Sequence, residues 1–283
     1  MPLGIVSAEE RMETTGHKIQ IWGEAKIGKT SLLWTLPEKE TLILDFEGGL
    51  QSVRGWGGDS IPVRTWEDAR NYTCMISGPN PALRDDQAYS KAHFDFITND
   101  GNLGSRSQLD KYKNIFIDST TFAASICMQW CKGQPESFSE KTGKPDTRGM
   151  YGLLGTELGD WARQLQYAPH FNIILVGGIK EVEDDVGRKQ WVPMVDGGAA
   201  KKLPYIFDQI ITMTELKGDD DKAYRAFVCQ KMNPWGYPAG DRSGALDMLE
   251  KPHLGELIAK IEARGSATAS DFAYQAPQSE AAA

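Results

Sequence analysis

Gly23, Gly28, Lys29 and Thr30 carry the most specific chemistry in the sequence, because GEAKIGKT spells G-x-x-x-x-G-K-[ST] directly after the apolar run HKIQIW (17–22). The glycines let the backbone curl so that successive N–H groups point inward, and a helix opening at Lys29 adds the partial positive charge of its first turn. Such a bend grips the phosphates of a nucleoside triphosphate. Gly23, Glu24, Ala25, Lys26, Ile27, Gly28, Lys29, Thr30 and Ser31 therefore form the candidate nucleotide-binding loop. Lys29 is expected on the β- and γ-phosphates, the Thr30 hydroxyl on Mg²⁺, and the Ser31 hydroxyl near the α-phosphate. ATP and Mg²⁺ are the cofactors this implies.

Two further apolar runs end in acids. TLILDFE brings Asp45 and Glu47 to a strand end, and NIFIDS brings Asp118 and Ser119. A hydrophobic strand ending in Asp is a usual way to bring a carboxylate beside a metal at a phosphate loop, so either run serves; an acid capping the next helix is the structural alternative for each.

The elements that must position these groups follow from periodicity. Strand-like runs recur at 17–22, 41–46, 114–119, 171–178, 207–215 and 224–231, and helices are expected at 29–36, 66–77, 120–132, 151–167 and 254–263. Near-continuous Ile, Leu and Val runs suit strands covered on both faces. Their alternation with helices predicts an α/β fold, a mostly parallel twisted sheet flanked by helices on both faces. We expect an N-terminal arm at 1–16, one core over 17–264 with a Gly- and Pro-rich insertion at 78–110, and a disordered tail at 265–283, whose apolar content is too low to pack.

With 283 residues, 40% of them hydrophobic and 25% charged, the composition is that of a globular chain, and no apolar run approaches a membrane span. The opening residues lack a secretion signal, and the four cysteines do not form a zinc set, so a reducing cytoplasm is expected. A formal charge of -8 excludes binding to nucleic acid through bulk positive charge. Any such contact must come from local patches.

The ordered series GEAKIGKTS, ILDFEGG, IFIDST and IILVGG, spanning roughly residues 15–260, resembles the RecA and RadA superfamily of P-loop ATPases. The chain is most similar to the core-only phage members, the Sak-type ATPases of single-strand annealing and recombination. That resemblance implies a RecA-like core in which Glu47 activates the attacking water and Asp118 supports Mg²⁺, with Gln51 and Arg54 near the base or ribose. The segment PAGDRSGAL (238–246) resembles a Lys-x-Arg-x-Gly hairpin whose basic residues reach the γ-phosphate of the neighbouring subunit, which implies Arg242 as the trans-acting finger and Lys231 as a weaker candidate. The sequence departs from the pattern twice. Gly240 replaces the first basic residue of that hairpin, and Gly177-Gly178 stand where a polar γ-phosphate sensor is usual.

Filament-forming relatives present two loops to DNA, and the resemblance implies 133–149 and 181–202 for that role. The first carries Lys141, Lys144 and Arg148. The second reads as a hairpin turning at Gly187, with Arg188, Lys189, Trp191, Lys201 and Lys202. Trp191 would stack on an unpaired base while the cations meet phosphates; otherwise the neighbouring acids cancel those charges in an exposed hairpin. Expected partners are single-stranded DNA, further copies of the chain in a ring or filament, and a single-strand DNA-binding protein, with the cytoplasm of a phage's bacterial host as the setting. A P-loop kinase or transferase using Asp45 and Glu47 to hold an acceptor, and a nucleotide-dependent interaction protein with weak turnover, are the competing readings.

Overall fold

β1 (Lys18–Gly23), β2 (Thr41–Asp45) and β4 (Asn114–Asp118) are buried along their whole length, as expected of apolar strands covered on both faces. The computed structural model describes residues 7, 15–100, 103–168, 170–183, 187, 189–195, 198, 203–218 and 221–264. With β3 (Asp59–Pro62), β5 (Asn172–Glu183), β7 (Gln209–Lys217), β8 (Ala223–Val228) and β10 (Leu249–Glu250), these strands build one sheet in the order β10-β8-β7-β1-β5-β4-β2-β3. From β7 to β3 the neighbours are parallel; β8 and β10 continue the sheet antiparallel. β6 (Lys189–Pro193) folds back on the end of β5, and β9 (Gly240–Asp241) pairs with β7. The predicted mostly parallel sheet, covered by helices on both faces, is thus the fold.

Strand alternation splits the core into two layers. Leu42, Leu44, Ile115, Ile117, Ile173 and Leu175 face α1 (Trp66–Ser77), α3 (Thr120–Cys131) and α4 (Thr147–Gln166). Ile19, Ile21, Ile43, Phe116, Ile174 and Ile211 face the other way, onto Leu32 and Leu33 after the phosphate loop and onto Leu254, Leu257, Ile258 and Ile261 of a C-terminal helix, Leu254–Glu262.

The helix expected at 29–36 is a tight 3-10 turn, Thr30–Thr35, with Leu32 N–H donating to Lys29 O and Leu36 N–H to Leu33 O. It stops because Leu36 is extended ahead of Pro37, a residue that disfavours helix on its N-terminal side. α4 starts at 147 rather than 151, since the Asp146 carboxylate caps the N–H groups of Arg148 and Gly149. β3 was not anticipated: DSIP is a short edge strand without an apolar run, and it ends in proline. The 78–110 segment is not a plain loop. It contains α2 (Lys91–Asp95), buries Tyr89, Ile97 and Leu109, and is tied down where the Arg106 guanidinium donates to Met75 O and Ile76 O at the end of α1. The tail at 265–283, and all of the 1–16 arm except residues 7, 15 and 16, lie outside the described residues. Among the described residues no helix is long and apolar enough to cross a membrane.

Phe116 is fully buried in the middle of β4. Phe116→Ala is expected to lower unfolding free energy by about 3–5 kcal/mol in denaturant titration. Tyr167→Ala, at a residue 61% exposed, should change it by less than about 0.5 kcal/mol.

Candidate nucleotide and metal site

Parallel register brings the chemistry to one end of the sheet. Gly23 lies beside Gly178 and Met213, and Asp45 beside Asp118, so the strand ends form a single rim. Ligands of open α/β sheets bind at the carboxyl ends of the strands. The loop that leaves β1 is shaped by its glycines. A Cβ on Gly23 would stand 2.8 Å from Met213 O, and Gly28 has φ +105°, a conformation that a side chain strains. Lys26 also adopts positive φ.

Lys29 folds back over this loop, its ammonium donating to Gly23 O at 2.9 Å and Glu24 O at 2.7 Å. Burial pulls its pKa below the usual lysine value, against the opposing pull of Asp118, Glu47 and Glu24. Thr30 reaches across β5, and its hydroxyl donates to Asp118 Oδ2 at 2.6 Å. Asp118 is only 4% exposed. Desolvation pushes its pKa up to about 6; the Thr30 hydrogen bond and Lys29 oppose the rise, while Glu47 and Asp45 add to it. Glu47 is exposed at the same rim, and Ser119 donates its hydroxyl to Glu47 Oε1 at 2.7 Å.

The two acid-ended runs now separate. Asp45 spends Oδ1 on the N–H groups of Glu47 and Gly48, so it shapes the turn that presents Glu47. Asp118 is the acid beside the loop. Among the described residues no cluster of three His, Cys, Asp or Glu side chains forms a metal cage. One hydroxyl and one carboxylate remain, and that donor set fits Mg²⁺, which commonly takes one or two protein oxygens and completes its shell with phosphates and water.

Residues expected elsewhere are placed as follows. Gly177 has no room for a side chain, since a Cβ there would stand 2.5 Å from the ring of Trp22. Gly178 N–H donates to the Thr121 hydroxyl. Arg242 lies at the opposite end of the sheet from its own phosphate loop, paired with Asp208 at 2.7 Å. Lys231 is exposed beyond β8, and Gln51 and Arg54 are exposed at the 3-10 turn Leu50–Val53. The hairpin turns at Gly187, as read from the sequence, but Lys189 pairs with Glu181 and Trp191 stacks against Tyr237 with ring centroids 5.2 Å apart. Arg188, Lys201 and Lys202 lie outside the described residues. Lys141, Lys144 and Arg148 are exposed next to Phe138 and Tyr151, each 40% exposed. Sequence reasoning missed Ser119 as the partner of Glu47. It also missed two arginines at the rim: Arg64 against Gly48 and Arg225 against Gly28.

Fold and site together define a P-loop ATPase domain. More specifically, the chain belongs to the AAA domain family, which matches residues 15–243. Among solved structures it is similar to a KaiC-like protein from the hyperthermophilic archaeon Pyrococcus horikoshii, at 12% identity and a TM-score of 0.34 over 78% of this chain and 81% of that one. It is also similar to an ATPase of the type III secretion system of pathogenic bacteria, at 15% identity and a TM-score of 0.34, covering 71% of this chain and 51% of that one. No curated protein sequence matches the chain.

Asp118 supplies a test of the site's electrostatics. Because the fold raises its pKa to about 6, the folded chain keeps a proton between about pH 4 and 6 that the unfolded chain has released, and this group's contribution to stability falls as pH rises through that window. Asp118→Asn, which can still accept from Thr30, is expected to unfold later than the parent at pH 7–8 by about 2–3 kcal/mol. The gap should close by about pH 4 in thermal melts.

Proposed function

We propose that the chain binds ATP with Mg²⁺, hydrolyses it, and assembles with further copies on single-stranded DNA as a recombination or annealing factor of the Sak type, in the cytoplasm of a phage's bacterial host. The observation that carries the nucleotide part is the contact of Thr30 with a desolvated Asp118 at the mouth of the glycine loop. A buried carboxylate in that position is better satisfied by a cation than by one hydroxyl. Mg²⁺, when bound, draws on Thr30 and Asp118 and supplies positive charge to the phosphate oxygens.

The chain's own groups divide the remaining work. Lys29 exchanges two loop carbonyls for phosphate oxygens, a charge-assisted contact stronger than the one it gives up. Glu47, steadied by Ser119, orients a water at the exposed rim and accepts its proton. Asp45 is occupied by the turn, which weighs against the kinase reading in which it holds an acceptor.

For self-assembly the support is weaker: Arg242 lies far from its own loop, so only a second copy's nucleotide is open to it, but reaching one requires breaking its 2.7 Å pair with Asp208. For DNA, the 133–149 loop is favoured over the hairpin. Lys141, Lys144 and Arg148 make no ion pair with a described residue, and exposed rings stand beside them, whereas Lys189 and Trp191 are already partnered. A single-strand DNA-binding protein is the accessory partner this role calls for.

Lys29→Ala should lose ATP binding in calorimetry, and Glu47→Gln should bind normally but hydrolyse about 10²–10⁴-fold more slowly. Undiminished turnover in both variants would end the ATPase reading. In anisotropy titrations with single-stranded DNA, Lys144→Ala/Arg148→Ala should flatten the log affinity against log salt plot by roughly 1.4, about 0.7 per lost phosphate contact. An unchanged slope would remove this loop from DNA binding.

A further inference from the structure

Asp118 sits two strands from β1 on one side, across β5, and Arg225 sits two strands from β1 on the other, across β7. β8 runs antiparallel to β7 in a register that pairs Met213 with Phe227 and Glu215 with Arg225. Since Met213 also pairs with Gly23, Arg225 stands one alternation step beyond the level at which the phosphate loop begins. Side chains two apart on a strand share a face, so Arg225 lies on the face of Phe227 and Cys229, the one covered by Leu32 and Leu33 after the loop.

The guanidinium rests on the loop itself. A Cβ on Gly28 would stand 2.9 Å from Arg225 Nη1, with Met213 Cε at 3.6 Å. Glu215 is the cross-strand neighbour, yet Arg225 makes no ion pair with it, nor any side-chain hydrogen bond to another described residue. Among the described residues its donors have no partner, and they stand at the solvent-exposed edge of the glycine bend. On the β5 side, by contrast, the strand itself contributes only Gly177 and Gly178, with Trp22 against the first and Met194 and Thr121 against the second, and no cationic side chain among them.

We propose that Arg225 is a phosphate-binding residue of the nucleotide site, acting within the same chain and gripping the triphosphate on the side opposite Asp118. This rests on the reading of the site as a nucleotide site. One lysine and one divalent cation leave a bound triphosphate net anionic, and a planar guanidinium presents five donors in a geometry that matches phosphate oxygens. Gly28 is required for the approach: any side chain there displaces the arginine as well as straining the bend.

The test measures binding of MgATPγS, MgADP and AMP to the full chain and to Arg225→Ala, Arg225→Lys, Arg225→Gln and Lys29→Ala. Arg225→Ala and Arg225→Gln are expected to weaken MgATPγS by about 10- to 100-fold, the range for one hydrogen-bonded charged group. The loss should be smaller for MgADP, and AMP affinity should hold within about twofold, below the effect of even a neutral hydrogen bond. Arg225→Lys should recover part of the loss, and melting temperatures should match the parent. Retained MgATPγS affinity in Arg225→Ala, with affinity lost in Lys29→Ala, would overturn the role of Arg225 while leaving the nucleotide reading intact. An equal loss for all three nucleotides would also overturn it, since a phosphate grip is graded by phosphate number. A parent chain that binds none of the three would bring down both readings.

Discussion

A carboxylate held almost out of water, within reach of one hydroxyl, is the constraint around which the molecule is organised. Asp118 is ionised at neutral pH only at a cost, because burial disfavours its charge and neighbouring acids add to the penalty. The fold meets that cost through register. Across β5, Asp118 lies level with Ile21, two residues before the Gly23 end of β1, and there its carboxylate meets the hydroxyl of Thr30 from the turn after the loop. The charge that burial penalises is one that a nearby cation would stabilise.

Several features were readable from residue order because their causes act over few residues. GEAKIGKT bends itself, through glycines placed where a Cβ would strike Met213 O or strain the backbone. Unbroken apolar runs report strands covered on both faces, and Gly187 reports its own turn. The choice between Asp45 and Asp118 was not readable in this way. Both end apolar runs and face each other across β2 and β4, and their roles part only when side-chain partners are known.

The remaining differences share that long-range origin. Arg225 is one polar residue in a short strand, and nothing within YRAFV says that this strand lies two places from β1 on the loop's own face. Trp191 reads as available for nucleic acid until Tyr237, distant in sequence, takes it up, whereas the pairing of Lys189 with Glu181 is local and follows the alternative that the hairpin's own acids offered. The insertion looked structureless by composition, yet Arg106 finds the unsatisfied carbonyls at the end of α1 and pins it. Acid caps also carry more information than periodicity at helix starts, as Asp146 demonstrates for α4.

The two layers on the sheet are unequal in mass. One is built from three long helices locked by the tilted contact of Trp66 with Trp161 and by the pairing of Arg70 with Glu157. The other, which carries the phosphate loop, has two short 3-10 turns, Thr30–Thr35 and Leu50–Val53, and one nine-residue helix over the same strands. Few cooperative contacts resist local opening there. The domain is therefore mechanically lopsided, with the phosphate-loop layer as its more compliant side.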